Sequence, residues 1–211
     1  MIKELMPQYL LCLSVKSANS MFKNHSFLIL SLVLSAIFSF HNPIFAQETS
    51  QNNFYSFKFK DTLGDEVDFS TFKGKLVLLV NIATKCGFSD QLSELQKLNE
   101  AYKSKGLIVL GVPSNDFMSQ TPEANKEVGE ICQRKYQTTF TILEKMVVVG
   151  DKKNELFQWI HKQKGYEGRI LWNFEKFLIN QNGELIERFR SMTSPTDEAI
   201  KKLIEKNLPS K

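Results

Sequence analysis

Leu76-Val77-Leu78-Leu79-Val80-Asn81-Ile82-Ala83-Thr84-Lys85-Cys86-Gly87-Phe88 is the stretch whose reading decides the fold. Its first eight residues are almost all aliphatic, the pattern of a strand buried on both faces rather than one with a solvated side. A turn follows, and then Leu92, Leu95, Leu98 and Tyr102 recur at helical spacing. After the polar Lys103-Ser104-Lys105 comes a second aliphatic run, Gly106 to Val112. Strand, helix and strand in this order predict a parallel pair joined by a right-handed crossover.

Cys86 stands where the first strand gives way to the turn before the helix. A helix start offers unpaired N–H groups and a positive dipole end, both of which favour sulfur as an anion, and Lys85 adds a charge beside it. A cysteine at the end of an apolar strand is also an ordinary packing residue, so position alone leaves both readings open.

Working outward, Phe54 to Phe59 and Val67 to Phe69 flank the turn Leu63-Gly64-Asp65 as an opening hairpin. Downstream, Pro122 to Tyr136 carries helix formers with Val128, Ile131 and Cys132 on an inner face, and Pro122 suits the helix start. Phe140 to Val149 reads as a strand and Asn154 to Gln163 as a helix. Phe174 to Ile179 and Leu185 to Phe189 form a hairpin around Asn182-Gly183, and Ser194-Pro195-Thr196-Asp197 opens a last helix. After the hairpin the order is β-α-β-α-β-α-β-β-α. This is the arrangement of a thioredoxin-like α/β fold, a central mixed sheet flanked by helices, here with an N-terminal β-hairpin.

Residues 27–40 form an uncharged apolar run after Lys23, ending towards Pro43-Ile44-Phe45-Ala46-Gln47. This reads as a secretory signal peptide cleaved after Ala46, with export, periplasmic in a bacterium, as the expectation. The run is shorter than the roughly 20 residues that cross a bilayer, so stable membrane insertion is not expected; an uncleaved anchor is the alternative. Met21-Phe22-Lys23 makes a better signal start than Met1, so residues 1–20, with Cys12, read as a mis-assigned extension. Residues 47–211 then form a single domain.

That domain holds 24 basic and 22 acidic residues, a net charge of +2, without a basic run interleaved with aromatics. Nucleic-acid binding has no support in it. Its cysteines are Cys86 and Cys132 and its histidine is His161. A tetrahedral Cys/His zinc site needs four such ligands, so no metal and no cofactor are expected. Two thiols sent to an oxidising compartment suggest a disulfide, structural or redox-active.

Four segments together resemble the glutathione peroxidase family: Asn81 to Phe88, Leu110-Gly111-Val112-Pro113-Ser114-Asn115-Asp116-Phe117, Gln120-Thr121-Pro122, and Trp172-Asn173-Phe174-Glu175-Lys176-Phe177-Leu178. Their order and spacing match from about Phe54 to Leu203. The resemblance implies a thiol peroxidase acting on hydrogen peroxide and organic hydroperoxides. It makes Cys86 the peroxidatic residue and places Gln120, Trp172 and Asn173 at the remaining catalytic positions. Amide and indole N–H groups can donate to a departing oxygen without titrating near neutrality. Outside the resemblance, Trp172 reads as a core aromatic, Asn173 as a turn residue and Gln120 as a helix-cap neighbour.

The resemblance also makes Cys132 the resolving cysteine of the thioredoxin-using, non-selenium branch. Its partner would be a thioredoxin-like reductant or glutathione, with the former favoured. The short stretch between Gln163 and Trp172 implies an open site and a monomer or loose dimer. The chain departs from the family pattern at Ser114, where many members have cysteine, and at Asp116, a carboxylate that would disfavour a thiolate if it pointed inward. Met118-Ser119 replaces the usual Gly-Gly, and Thr141 replaces the usual proline. The alternatives are an exported redox sensor or relay on the same fold, and a non-catalytic binding module with a structural disulfide.

Overall fold

The computed structural model describes residues 53–209, so residues 1–46, expected from the sequence to be an extension and a signal peptide, and Cys12 among them, lie outside the described residues. Two short strands, β1 (Lys58–Lys60) and β2 (Glu66–Asp68), pair as an antiparallel hairpin. The remainder runs β3 (Leu76–Ile82), α1 (Gln91–Tyr102), β4 (Leu107–Pro113), α2 (Asn125–Tyr136), β5 (Thr141–Ile142), α3 (Glu155–His161), β6 (Lys176–Ile179), β7 (Leu185–Phe189) and α4 (Glu198–Asn207). The main sheet has the order β5-β4-β3-β6-β7, with β3, β4 and β5 parallel and β6 and β7 antiparallel to their neighbours. The expected mixed sheet and opening hairpin are both present.

Every residue of β3 is buried, because the strand is central and both of its faces are covered. Leu76, Leu78, Val80 and Ile82 pack under α1, α2 and α4, against Leu92, Leu95, Val128, Cys132 and Ile200. Val77 and Leu79 face the other way, onto Leu156 and Phe157 of α3 and an aromatic cluster that includes Phe54, Phe57, Phe59 and Phe69. Rings in that cluster meet at centroid distances such as 5.0 Å for Phe54–Phe69 and 5.5 Å for Phe59–Phe69, which fastens the hairpin to the sheet.

Several boundaries differ from the sequence expectation. Only Thr141 and Ile142 of the Phe140–Val149 run are strand. The Leu143 N–H still bonds to Gly111 O of β4, but the groups beyond it scatter: Glu144 to Lys60 O, Met146 to Pro113 O, and Val148 to the Asp116 carboxylate at 2.6 Å. The apolar run signals burial there, not a ladder. Thr141 takes the place of the usual proline as the first residue of β5, opposite Leu110. Helix α2 begins at Asn125 rather than at Pro122, and α3 at Glu155, where the Asn154 side chain accepts from the Leu156 N–H at 2.9 Å.

Candidate active site

Four segments meet around the C-terminal end of β3. Residues 84–90 make consecutive turns after the strand, and α1 starts only at Gln91, so Cys86 lies five residues ahead of the helix rather than in its first turn. Hydrogen bonds from the Ser89 N–H to Cys86 O and from the Gln91 N–H to Phe88 O tighten the turn. The Phe88 N–H points at Cys86 Sγ from 3.5 Å, and the sulfur is buried in the cluster that also contains Cys132. Lys85 directs its charge to Glu123, at 3.2 Å, not to the thiol.

The Gln120 segment is hung on this turn. The Lys85 N–H donates to Gln120 O at 2.9 Å, and Thr84 Oγ1 donates to the same carbonyl at 3.3 Å. Thr84 also donates to the Glu123 carboxylate at 2.7 Å. Burial raises the Glu123 pKa, but the hydrogen bonds from Thr84, its own backbone and Lys85 outweigh that and hold it below the usual carboxylate value. Residues 120–124 are thus pulled out of helical conformation to serve the Cys86 turn, which is why α2 starts late.

Met118 and Ser119 both sit in the left-handed region, at φ 54 and 53°. Glycine would hold that conformation without steric cost; here two side-chain-bearing residues do so, with Met118 exposed. Asp116 does not face the thiol. Its carboxylate accepts the Val148 and Val149 N–H groups at 2.6 and 3.2 Å. Ser114 is buried, its hydroxyl oxygen accepting from the Asp116 N–H at 3.2 Å, so it serves the same loop.

Asn81, the polar residue of an otherwise aliphatic β3, places the fourth segment. Its Nδ2 donates to Trp172 O at 3.1 Å, its Oδ1 accepts from the Glu175 N–H at 2.9 Å, and its own carbonyl accepts from the Phe174 N–H at 2.6 Å. These bonds hold Phe174 at φ 65°, turning the chain so that Asn173 comes to Gln120: Asn173 Nδ2 donates to Gln120 Oε1 at 2.9 Å. With its oxygen engaged, Gln120 has its own NH2 left to donate. Asn173 Oδ1 is buried with no partner among the described residues. The Trp172 ring packs on Phe117, centroids 5.6 Å apart, which joins this segment to the loop before Gln120.

Glu175 secures the same segment from behind. It is fully buried and accepts from the Leu171 N–H at 2.7 Å, from Arg188 at 2.8 Å and from Arg190 at 3.1 Å. Arg188, also buried, spends its other donors on Tyr166 O, Gly168 O and Arg169 O. The sequence reading assigned no role to Asn81, Glu123, Glu175 or Arg188. The available signals were an amide inside an aliphatic strand and two arginines at alternate positions, 188 within the last strand and 190 just past its end.

The structure thus joins Gln120 directly to Asn173 and ties both to the segments holding Cys86 and Trp172. Cys132, fully buried in the third turn of α2, belongs to the same apolar cluster as Cys86 but is not bonded to it; both are free thiols. Burial, with the Glu123 carboxylate adding to it, pushes the Cys132 thiol up to about 12. Among the described residues no three His, Cys, Asp or Glu side chains gather as a metal site, and no helix is long and apolar enough to cross a membrane.

Comparison with known proteins gives one consistent answer. Residues 54–161 match the family model for glutathione peroxidase. The chain is 41% identical over 160 residues to glutathione peroxidase-like peroxiredoxin 2 of Saccharomyces cerevisiae, covering 73% of this chain and 98% of that one. It is 46% identical over 156 residues to a glutathione peroxidase of Lactococcus lactis, covering 72% and 99%. Among solved structures, Trgpx in its apo form superposes with TM-score 0.60 at 37% identity, covering 74% of this chain and 94% of that one. A thioredoxin-family thiol:disulfide interchange protein from Chlorobium tepidum, TM-score 0.56 at 16% identity with coverage of 72% and 92%, shares the thioredoxin-like fold. The chain therefore belongs to the glutathione peroxidase family, and it is a peroxidase.

Proposed function

We propose that the protein reduces hydrogen peroxide and organic hydroperoxides at Cys86 and is recycled through Cys132. The observation that carries this reading is the Asn173–Gln120 amide pair, 2.9 Å apart, on backbone hydrogen-bonded to the turn that presents Cys86. In the first step the Cys86 thiolate attacks one peroxide oxygen, the O–O bond breaks, and the departing oxygen takes a proton to leave as water or an alcohol. Cys86 becomes a sulfenic acid. The Gln120 NH2 and the Trp172 indole N–H donate to the developing oxyanion, and the buried Asn173 Oδ1 is an acceptor for a substrate hydroxyl.

In the second step the Cys132 sulfur displaces hydroxide from the Cys86 sulfenic acid, forming a disulfide and, with the thiol proton, water. The Cys132 thiol must leave its burial to do this, so α2 opens locally around it. A dithiol reductant then takes over the disulfide. Relatives named peroxiredoxins, and a second cysteine in this chain, support a thioredoxin-like protein in that role over glutathione. Residues 27–46 support export, and the short connection after α3 supports a monomer or loose dimer.

The test is single-turnover stopped flow. Reduced protein given one equivalent of hydroperoxide loses both thiols and shows a change in Trp fluorescence. Cys86→Ser abolishes both signals, while Cys132→Ser retains one stoichiometric reduction and stops recycling by a thioredoxin. Normal steady-state cycling of Cys132→Ser with that donor refutes the two-cysteine scheme.

A further inference from the structure

Away from Cys86, a cavity of about 420 Å³ opens between α3, residues 148–150 and the loop that runs from α3 to β6. Its size falls within the roughly 300–1,000 Å³ of small-molecule sites. Its floor is apolar, built by Phe157, Ile160 and Ile170, all buried. Its rim carries the Lys153 cation before α3 and the Arg169 cation from the following loop, with the His161 imidazole at the end of α3 as a further hydrogen-bonding group. No carboxylate lines the cavity, and none of these three side chains is ion-paired among the described residues.

The rim is also held in place. The Arg188 guanidinium donates to Arg169 O at 2.9 Å, and Gln158 Nε2 donates to Lys153 O at 2.9 Å, so the backbone under both cations is fixed before anything binds. Two unpaired cations and an imidazole around a hydrocarbon floor do not suit a neutral peroxide. They do not suit a small inorganic anion either, since the floor would then stay in water.

We propose that this cavity binds an organic anion with an apolar body, an alkyl or aryl carboxylate. The charged group meets Lys153, His161 and Arg169, and the hydrocarbon lies on Phe157, Ile160 and Ile170. The site is separate from the thiol chemistry, and its test reads binding rather than turnover.

The reduced full chain is titrated calorimetrically with octanoate, 1-octanol, inorganic phosphate and glutathione. Octanoate is expected to saturate one site. The alcohol lacks the charge, and phosphate and glutathione lack the apolar body, so each binds at least about ten-fold more weakly. Lys153→Met/Arg169→Leu and Lys153→Glu/Arg169→Glu both weaken octanoate by about ten-fold or more, while single-turnover reduction of hydrogen peroxide stays unchanged and certifies that the variants fold. Octanoate that fails to saturate, that binds the charge-reversed variant as tightly as the parent, or that is matched by octanol or phosphate overturns the proposal.

Discussion

On the proposed two-cysteine cycle, Gln137 is placed to control the step that brings Cys132 to Cys86. It is exposed, follows α2, and stands at φ 56°, ψ 31°, in the left-handed conformation that glycine adopts most easily at a helix end. Its N–H donates to Gln133 O at 3.0 Å, and the next N–H, of Thr138, donates to Cys132 O at 3.3 Å. The C-terminal clamp of α2 thus closes on the carbonyl of Cys132, the residue proposed to resolve the sulfenic acid. The rest of the helix is lightly held: Val128, Cys132 and Tyr136 are its fully buried residues, Gly129 interrupts it, and Ala124 caps its start without a side-chain hydrogen bond.

A non-glycine residue in the left-handed region costs on the order of 1–3 kcal/mol, most for a β-branched one. Gln137→Gly relieves part of that and gives back about 0.5–1 kcal/mol through the freer unfolded chain, for a net gain of up to about 1 kcal/mol. Gln137→Val adds about 1 kcal/mol of strain. The two variants therefore span about 2 kcal/mol in the stability of the clamp, which is about 25-fold in its opening equilibrium. Opening also returns the Cys132 thiol from about 12 towards the ordinary 9.0, raising its thiolate fraction near neutrality about a thousand-fold. Disulfide formation after one equivalent of peroxide, followed by rapid quench and thiol blocking, is expected to be slowest in Gln137→Gly and fastest in Gln137→Val. The first, Cys86-dependent phase should be the same in both. Ala124→Ser completes a Ser-Asn-Lys-Glu capping box with Glu127 and adds about 1 kcal/mol at the other end; it slows the step about five-fold only if the helix melts from its first turn. Equal disulfide rates in the Gly and Val variants, with amide exchange confirming that the clamp has changed, would refute opening of α2 as the route.

Three further outcomes follow from the geometry. Glu175→Gln leaves Arg188 as a buried, uncompensated charge, so urea unfolding should show a loss of about 3 kcal/mol or more, and the peroxide step should slow because the Trp172 segment loses its anchor. Met118→Gly and Ser119→Gly release two residues from φ 54 and 53°, each gaining up to about 1 kcal/mol after the unfolded-state offset; an unchanged or lower melting temperature would contradict the strain. Burial lowers the Lys176 pKa to about 8, against the opposing pull of Glu94 and Glu175, while its Nζ donates to Ser191 O and Thr193 O. The unfolded chain then binds the extra proton between pH 8 and the ordinary 10.5, so the stability of the parent relative to Lys176→Met should rise with pH across that window and stay flat below it.

Much of the fold is carried by local pattern. The aliphatic runs of β3 and β4, the helical spacing of α1 and the Asn182-Gly183 turn, with Gly183 at φ 80°, each decide their element with little help from elsewhere. The expectations that failed do so where side chains take over backbone hydrogen bonding. Val148 and Val149 look like strand residues, but their N–H groups are spent on Asp116. Pro122 looks like a helix start, but Lys85, Thr84 and Glu123 hold residues 120–123 to the Cys86 turn.

Phe174 shows why the site is harder to read than the fold. Three residues ahead of Phe177-Leu178-Ile179, an aromatic residue carries no local signal for positive φ, and its own propensity assigns it to the strand. Its conformation is dictated from 93 residues upstream, by the Asn81 carbonyl taking its N–H and the Asn81 amide taking its neighbours' groups. Without that turn Asn173 would continue the direction of β6 and could not meet Gln120. An amide near the C-terminal end of a fully buried strand therefore places the candidate catalytic segment, although Asn81 has no assigned part in the proposed reaction. A replacement such as Asn81→Leu suits the strand by local pattern and keeps the backbone bond to the Phe174 N–H, but it removes the amide bonds to Trp172 O and the Glu175 N–H, so the fold should survive better than the alignment of Asn173 with Gln120.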